Sequence, residues 1–192
     1  VAERAGAGRF GKVDGPVSWL LRLSAWLGSK LVSDSRVLPV VVLTDVGEDG
    51  SGAGVALTTR TGKLLGDYEG LAEFMTRPLH WGGPERQPLF MIHPYPQVSG
   101  ATPLGESGLY KSGDLDDARA WVAEGQGSSL RFRFFFGKVR WGPGELRREL
   151  EAGHWFAARC ATECVLDESE DIYGETLWAE LAAAVGGTVA DI

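Results

Sequence analysis

The chain has 192 residues, 44% hydrophobic and 23% charged, with a formal net charge of −7 and a pI near 5.0. That length suits one domain whose core needs no cross-links, and two cysteines, Cys160 and Cys164, exclude a disulfide-scaffolded module. The acidic balance disfavours nucleic-acid binding, which draws its affinity from phosphate neutralisation, and the longest apolar run, residues 37–43, is far short of the roughly 20 residues that span a bilayer.

Residues 1–27 read as an N-terminal arm and an amphipathic helix, and residues 28–192 as the main domain. Gly6, Gly8 and Gly11 spell G-x-G-x-x-G, but only five residues precede them, too few for the strand that a dinucleotide fingerprint needs. From Asp14, with Pro16 in the first turn, Trp19, Leu20, Leu23, Trp26 and Leu27 fall on one face at helical spacing. Residues 37–44 read as a buried strand, 45–52 as a glycine-rich turn and 53–59 as a second strand, together a hairpin. Residues 71–77 suit a short helix ended by Pro78, Trp81-Gly-Gly-Pro a turn, and 88–93 a strand. Residues 94–107 read as a long mobile loop, and 114–124 as a helix with Leu115, Ala118, Trp121 and Val122 inward.

Residues 130–136 alternate, with Leu130, Phe132, Phe134 and Phe136 on one face and Arg131, Arg133 and Phe135 on the other, as in a half-buried strand. After Trp141 comes a proline-led helix, with Leu146 and Leu150 on one side and Gly153 as its stop, then a strand over 154–158. Residues 175–185 complete the pattern as a last helix. An early hairpin among strands and short helices predicts an α/β (α+β) fold: a mixed, largely antiparallel sheet with short helices packed on it.

Several of these pieces occur together in one family. The order Val40-Val-Val-Leu, Gly54-Val-Ala-Leu, Trp81-Gly-Gly-Pro, His93, Leu109-Tyr110 and Phe134-Phe-Phe-Gly resembles the AlgH-like family, also called YqgE/AlgH. The likeness continues through Trp141-x-Pro-Gly-Glu-Leu-x-x-Glu-Leu-x-x-Gly-x-Trp155, Leu177-Trp178 and Val185-Gly-Gly. Its Arg131-Phe-Arg-Phe-Phe-Phe-Gly variant is similar to the plant and algal branch, which implies a plastid address. The chain departs from the family at Thr58-Thr59-Arg60, where relatives have Asn-Arg-Pro, and at Gly137-Lys-Val-Arg140-Trp141, where they have Gly-Tyr-Ala-Gly-Trp. The resemblance implies a mixed α/β fold and no settled reaction.

The candidate chemistry is sparse. His80, His93 and His154 lie on separate segments without zinc-ligand spacing. Cys160 and Cys164 form C-x3-C, which admits inert thiols, a redox-switched disulfide or part of a metal site. The run Asp167-Glu-Ser-Glu-Asp lacks the EF-hand ligand rhythm, and no G-x-S-x-G elbow occurs. No catalytic, cofactor or metal residues are therefore expected. The favoured function is a non-catalytic interaction protein, an accessory or regulatory subunit of a plastid assembly, in peripheral contact with a photosynthetic membrane complex. Its protein partner would meet the helix face of Trp19, Leu20, Leu23, Trp26 and Leu27. The alternative is a small-ligand binder or enzyme with a pocket near the Trp141 loop, using His93, Arg140 or Glu145. Nucleic-acid binding through Arg131, Arg133, Lys138 and Arg140 is disfavoured, because they more readily form a solvated strand face or local ion pairs with the acidic surface.

Overall fold

Three consecutive valines set the layering. Successive strand residues face opposite sides, so Val40 and Val42 enter one apolar cluster while Val41 enters another. All three are fully buried, so this strand is covered on both faces. The computed structural model describes residues 17–22, 39–166 and 177. Its strands are β1 (Val17–Arg22), β2 (Val40–Val46), β3 (Gly52–Ala56), β4 (Arg60–Leu64), β5 (Pro78–Trp81), β6 (Phe90–His93), β7 (Thr102–Pro103), β8 (Tyr110–Lys111), β9 (Arg133–Phe136), β10 (Val139–Trp141) and β11 (Trp155–Cys160). The helices are α1 (Leu115–Ala123), α2 (Glu145–Glu151) and the single turn α3 (Glu163–Leu166).

Two sheets result, in the orders β10-β3-β2-β1-β11 and β4-β5-β9-β6-β8-β7. Only the β5–β9 pair is parallel among the described residues. The expected α+β class with short helices packed on largely antiparallel strands is what the structure shows, as two sheets rather than one. One cluster lies between the sheets and joins Val40, Val42 and Val55 to Phe90, Ile92 and Phe135. A second sits under α2 on the far side of the first sheet, around Val41, Trp141, Leu146 and Trp155. A third sits under α1 on the far side of the second sheet, around Phe74, Ala118, Phe132 and Phe134.

The helix expected to carry Trp19 and Leu20 is corrected: residues 17–22 form β1, hydrogen-bonded between β2 and β11. Leu21 lies opposite Val40, and Val17 opposite Cys160. Consecutive apolar residues at 19–21 fit a central strand as well as a helix face, and pairing to neighbours on both edges decides between them. Leu23, Trp26 and Leu27 lie outside the described residues.

The β2–β3 hairpin is as expected, with a bulge between Leu43 and Asp45. The short helix over 71–77 shrinks to one 3-10 turn, Ala72–Phe74, because Pro78 already opens β5. The loop 94–107 is anchored rather than loose: Val98 and Leu104 are buried, and it contains β7. Helix α1 starts where expected, with the Asp114 carboxylate accepting the Asp117 N–H at 3.0 Å.

The two sheets meet at a glycine crossing after β5. The Gly82 N–H donates to Phe136 O at 2.8 Å, and Gly82 O accepts from Ala56 N at 2.9 Å. Gly82 thus joins β3 of the first sheet to β9 of the second. A Cβ on Gly82 would lie 2.3 Å from Gly137 O, and one on Gly83 2.3 Å from the Lys138 carbonyl carbon. The Trp81-Gly-Gly-Pro turn therefore exists to let two backbones touch.

Candidate functional site

The second sheet places two polar side chains in the space between the sheets. On β5, Leu79 faces the cluster under α1, so His80 faces inward. Phe132, just before β9, and Phe134 on it face α1, so Arg133 and Phe135 face inward as well. Arg133 is 4% exposed, which corrects its placement on a solvated strand face. Its guanidinium donates to Val165 O at 2.9 Å and to Leu57 O at 2.6 Å. One side chain thereby ties the second sheet to the chain just after β3 and to α3.

The same guanidinium lies 3.3 Å from His80 Nε2, and His80 Nδ1 lies 3.2 Å from Phe134 O. A carbonyl only accepts, so Nδ1 carries the proton and Nε2 accepts from Arg133. Burial first, then the charges of Arg133, Arg60 and Arg77, hold the ring well below the ordinary histidine range. His80 is therefore a neutral structural tie whose basic nitrogen is already occupied.

A pH dependence follows. Below about pH 6.5 the unfolded ring takes up a proton that the folded ring refuses. The unfolded state then binds more protons, so stability falls as pH falls, at up to about 1.4 kcal/mol per pH unit for each such histidine. His80→Gln is expected to lower stability at neutral pH and to flatten this decline. Urea unfolding at stepped pH measures both, and an unchanged slope would refute the assignment.

His93 plays a related part on β6. Its Nε2 donates to Ser112 O at 3.0 Å, and its Nδ1 accepts the Tyr95 N–H at 3.3 Å. The ring stacks near Tyr95 and Tyr110 and touches Phe132, and burial lowers its pKa. Ser112 has φ 61°, the one left-handed non-glycine among the described residues. His93 thus pins a strained corner.

The Trp141 segment is a structural box. Trp141 Nε1 and Trp155 Nε1 both donate to Glu149 Oε2, at 2.9 and 2.7 Å, and the two indoles meet edge to face. Glu145 Oε2 accepts the Gly142 N–H at 2.8 Å, closing the turn before α2. Gly153, at φ 71°, ends the helix as expected, with its N–H donating to Leu150 O. Both signature glutamates, Glu145 and Glu149, thus bind groups within the signature. Glu149→Leu should strand two indole N–H groups and cost about 2–4 kcal/mol, while Glu149→Gln keeps an acceptor and costs about 1 kcal/mol. Equilibrium unfolding followed by tryptophan fluorescence separates the two.

Cys160 and Cys164 are both free and buried, within hydrogen-bond reach of each other. The bond to Cys164, then burial, pushes the Cys160 thiol up, while accepting that bond pulls Cys164 down.

The other expected positions scatter. Arg140 is exposed and paired with Glu85 at 2.6 Å, while Glu145 is used at the α2 turn and His93 sits in the second sheet's aromatic cluster. The structure does not gather them into one site. Arg131 is exposed, and Lys138 pairs through its backbone with Glu85. The His154 N–H donates to Glu149 O. Among the described residues no three His, Cys, Asp or Glu side chains converge for a metal, and no helix is long and apolar enough to cross a membrane. The acidic run 167–171 lies outside the described residues, as does the expected helix 175–185 except for Leu177, which is helical and buried. Sequence reading missed the His80–Arg133 pair. The strand's own pattern gave no signal for it, since Arg133 alternates with phenylalanines as a solvated residue would.

Comparison with known proteins decides the family, for the AlgH-like profile matches residues 37–190. The chain belongs to the AlgH-like family. A UPF0301 protein of Bacteroides fragilis is 30% identical over 151 residues, covering 77% of this chain and 73% of its own length. Another, from Bacteroides thetaiotaomicron, is 27% identical over 141 residues, covering 72% and 71%. In structure this AlgH-like chain is similar to the AlgH protein from Pseudomonas aeruginosa, with TM-score 0.67 at 20% identity over 91% of this chain and 90% of that one. Protein DIP2367 from Corynebacterium diphtheriae follows with TM-score 0.60 at 22% identity, over 82% and 83%. At these identities the two structures speak to fold alone.

Proposed function

We propose that this AlgH-like chain is a non-catalytic interaction protein, an accessory or regulatory subunit of a larger assembly. The observation that carries the reading is the β4–β5 connection, which leaves Leu64, Tyr68 and Met75 exposed at 45%, 46% and 60%. These residues sit at the rim of the second sheet, where β4 pairs with β5 and has no other strand neighbour among the described residues. Exposed apolar side chains beside an open strand edge suit a protein contact. The buried histidines His80 and His93 support the same reading, since both hold their ring nitrogens on protein atoms. Tagged native chain should co-purify in an assembly that the double variant Leu64→Ser, Met75→Glu no longer enters, with its melting temperature preserved. Native chain that elutes as a free monomer, or a folded variant that stays in the assembly, would count against the reading.

The plastid address and the contact with a photosynthetic membrane complex rest on the likeness of residues 131–158 to the plant and algal branch. Fractionation of source cells tests them: the chain should follow plastid markers and leave the membrane fraction on a salt wash. Recovery outside plastids removes this part of the reading and leaves the interaction role standing.

A further inference from the structure

Cys160 closes β11 and Cys164 lies in the single turn of α3, and the chain reverses between them, with the Cys164 N–H donating to Ala161 O at 3.1 Å. The reversal returns both side chains to the inter-sheet cluster, where they are 3% and 1% exposed. Four residues apart across this one-turn reversal and packed in one buried cluster, the two thiols are placed to meet in a disulfide once α3 opens. Their cover includes Val165 and Leu166 of α3, 0% and 4% exposed in the same cluster. The α3 turn is held by Val165 N and Leu166 N on Thr162 O at 3.0 and 3.3 Å. Beyond that, Thr162 Oγ1 donates to Ser107 O at 3.0 Å, and Arg133 donates to Val165 O. A single helical turn at the end of a strand is a unit that opens locally, without global unfolding.

We propose that Cys160 and Cys164 are a dithiol–disulfide site, oxidised by a low-molecular-weight disulfide such as glutathione disulfide when α3 opens, and that the bond locks α3 to the end of β11. Cys164 loses its proton and its thiolate attacks one sulfur of glutathione disulfide. The S–S bond of the oxidant breaks, a mixed disulfide forms on Cys164 and one glutathione thiolate leaves. Cys160 then loses its proton and attacks the Cys164 sulfur, expelling the second glutathione. The protein dithiol gives up two electrons and two protons, and the oxidant takes them up as two glutathione thiols. This inference goes beyond the interaction role and stands whether or not that role holds.

The test uses the full chain, equilibrated in glutathione buffers from reducing to oxidising, quenched with acid, alkylated in denaturant and weighed intact. Both thiols should disappear together in one transition, leaving a mass lower by two hydrogens and a fragment linking Cys160 to Cys164. Cys160→Ala should instead stop at a glutathione adduct on Cys164, and Thr162→Val should speed oxidation several-fold by loosening α3. Two alkylatable thiols in the folded wild type at every ratio, or oxidation only between chains, overturns the proposal without reference to any variant.

Discussion

Arg133→Met is expected to lower the unfolding free energy by about 3–5 kcal/mol. Replacing a buried ion pair with apolar residues is often neutral, because both charges leave together. Here Arg133 reaches Leu57 O, Val165 O and His80 Nε2, acceptors that stay buried when the guanidinium goes. Each unsatisfied acceptor costs about 1–3 kcal/mol, which outweighs the desolvation regained by removing one charge. Arg133→Lys keeps the charge but loses the fork that reaches two carbonyls, so it should fall between wild type and Met. A second readout follows from His80, whose pKa is lowered in part by the Arg133 charge. Without that charge the folded ring protonates more readily, so the loss of stability on acidification should shrink in Arg133→Met. Chemical unfolding at two pH values tests both statements, and a variant within about 1 kcal/mol of wild type would mean the tie is dispensable.

Gly82→Ala should cost more than about 4 kcal/mol and yield little soluble protein. The added Cβ would lie 2.3 Å from Gly137 O and 3.2 Å from Val55 Cγ1. The nearer obstacle is backbone, so no side-chain rotation relieves it. Moving either strand breaks the bonds from Gly82 N to Phe136 O and from Ala56 N to Gly82 O, the two that join the sheets there. Gly70→Ala is the control: Gly70 has φ +81° with open space around its Cβ position. It should cost only the left-handed strain, about 1–2 kcal/mol. Soluble yield and thermal melting of the two variants separate space from strain. Equal losses would mean that the seam yields to a methyl group.

Local chemistry was legible in the sequence where it is decided locally. Asp114 before an apolar face and Gly125 after it predict α1, and the glycine turn between two β-branched runs predicts the β2–β3 hairpin. Long-range cover was not legible. Residues 19–21 are apolar in succession and fit helix or strand alike until β2 and β11 are seen on either side. β4 carries Arg60, Thr61, Gly62 and Lys63 at a sheet rim, so no alternation marks it. Arg133 alternates with phenylalanines as a solvated residue would, and only the first sheet lying over β9 turns that face inward. The candidate site is made by stacking one sheet on another, and a single strand's pattern carries no record of that.

The position of β1 sets an order of assembly. A ribosome delivers residues 17–22 long before their second neighbour, β11, which ends at Cys160, opposite Val17. Until that strand emerges, β1 can pair with β2 and leaves its other row of backbone N–H and C=O groups open. Closing the first sheet is thus a late, high-contact-order event, slower than forming the β2–β3 hairpin. A nascent chain halted before residue 155 presents a sticky strand edge, the form in which this fold is most prone to pair with another copy of itself.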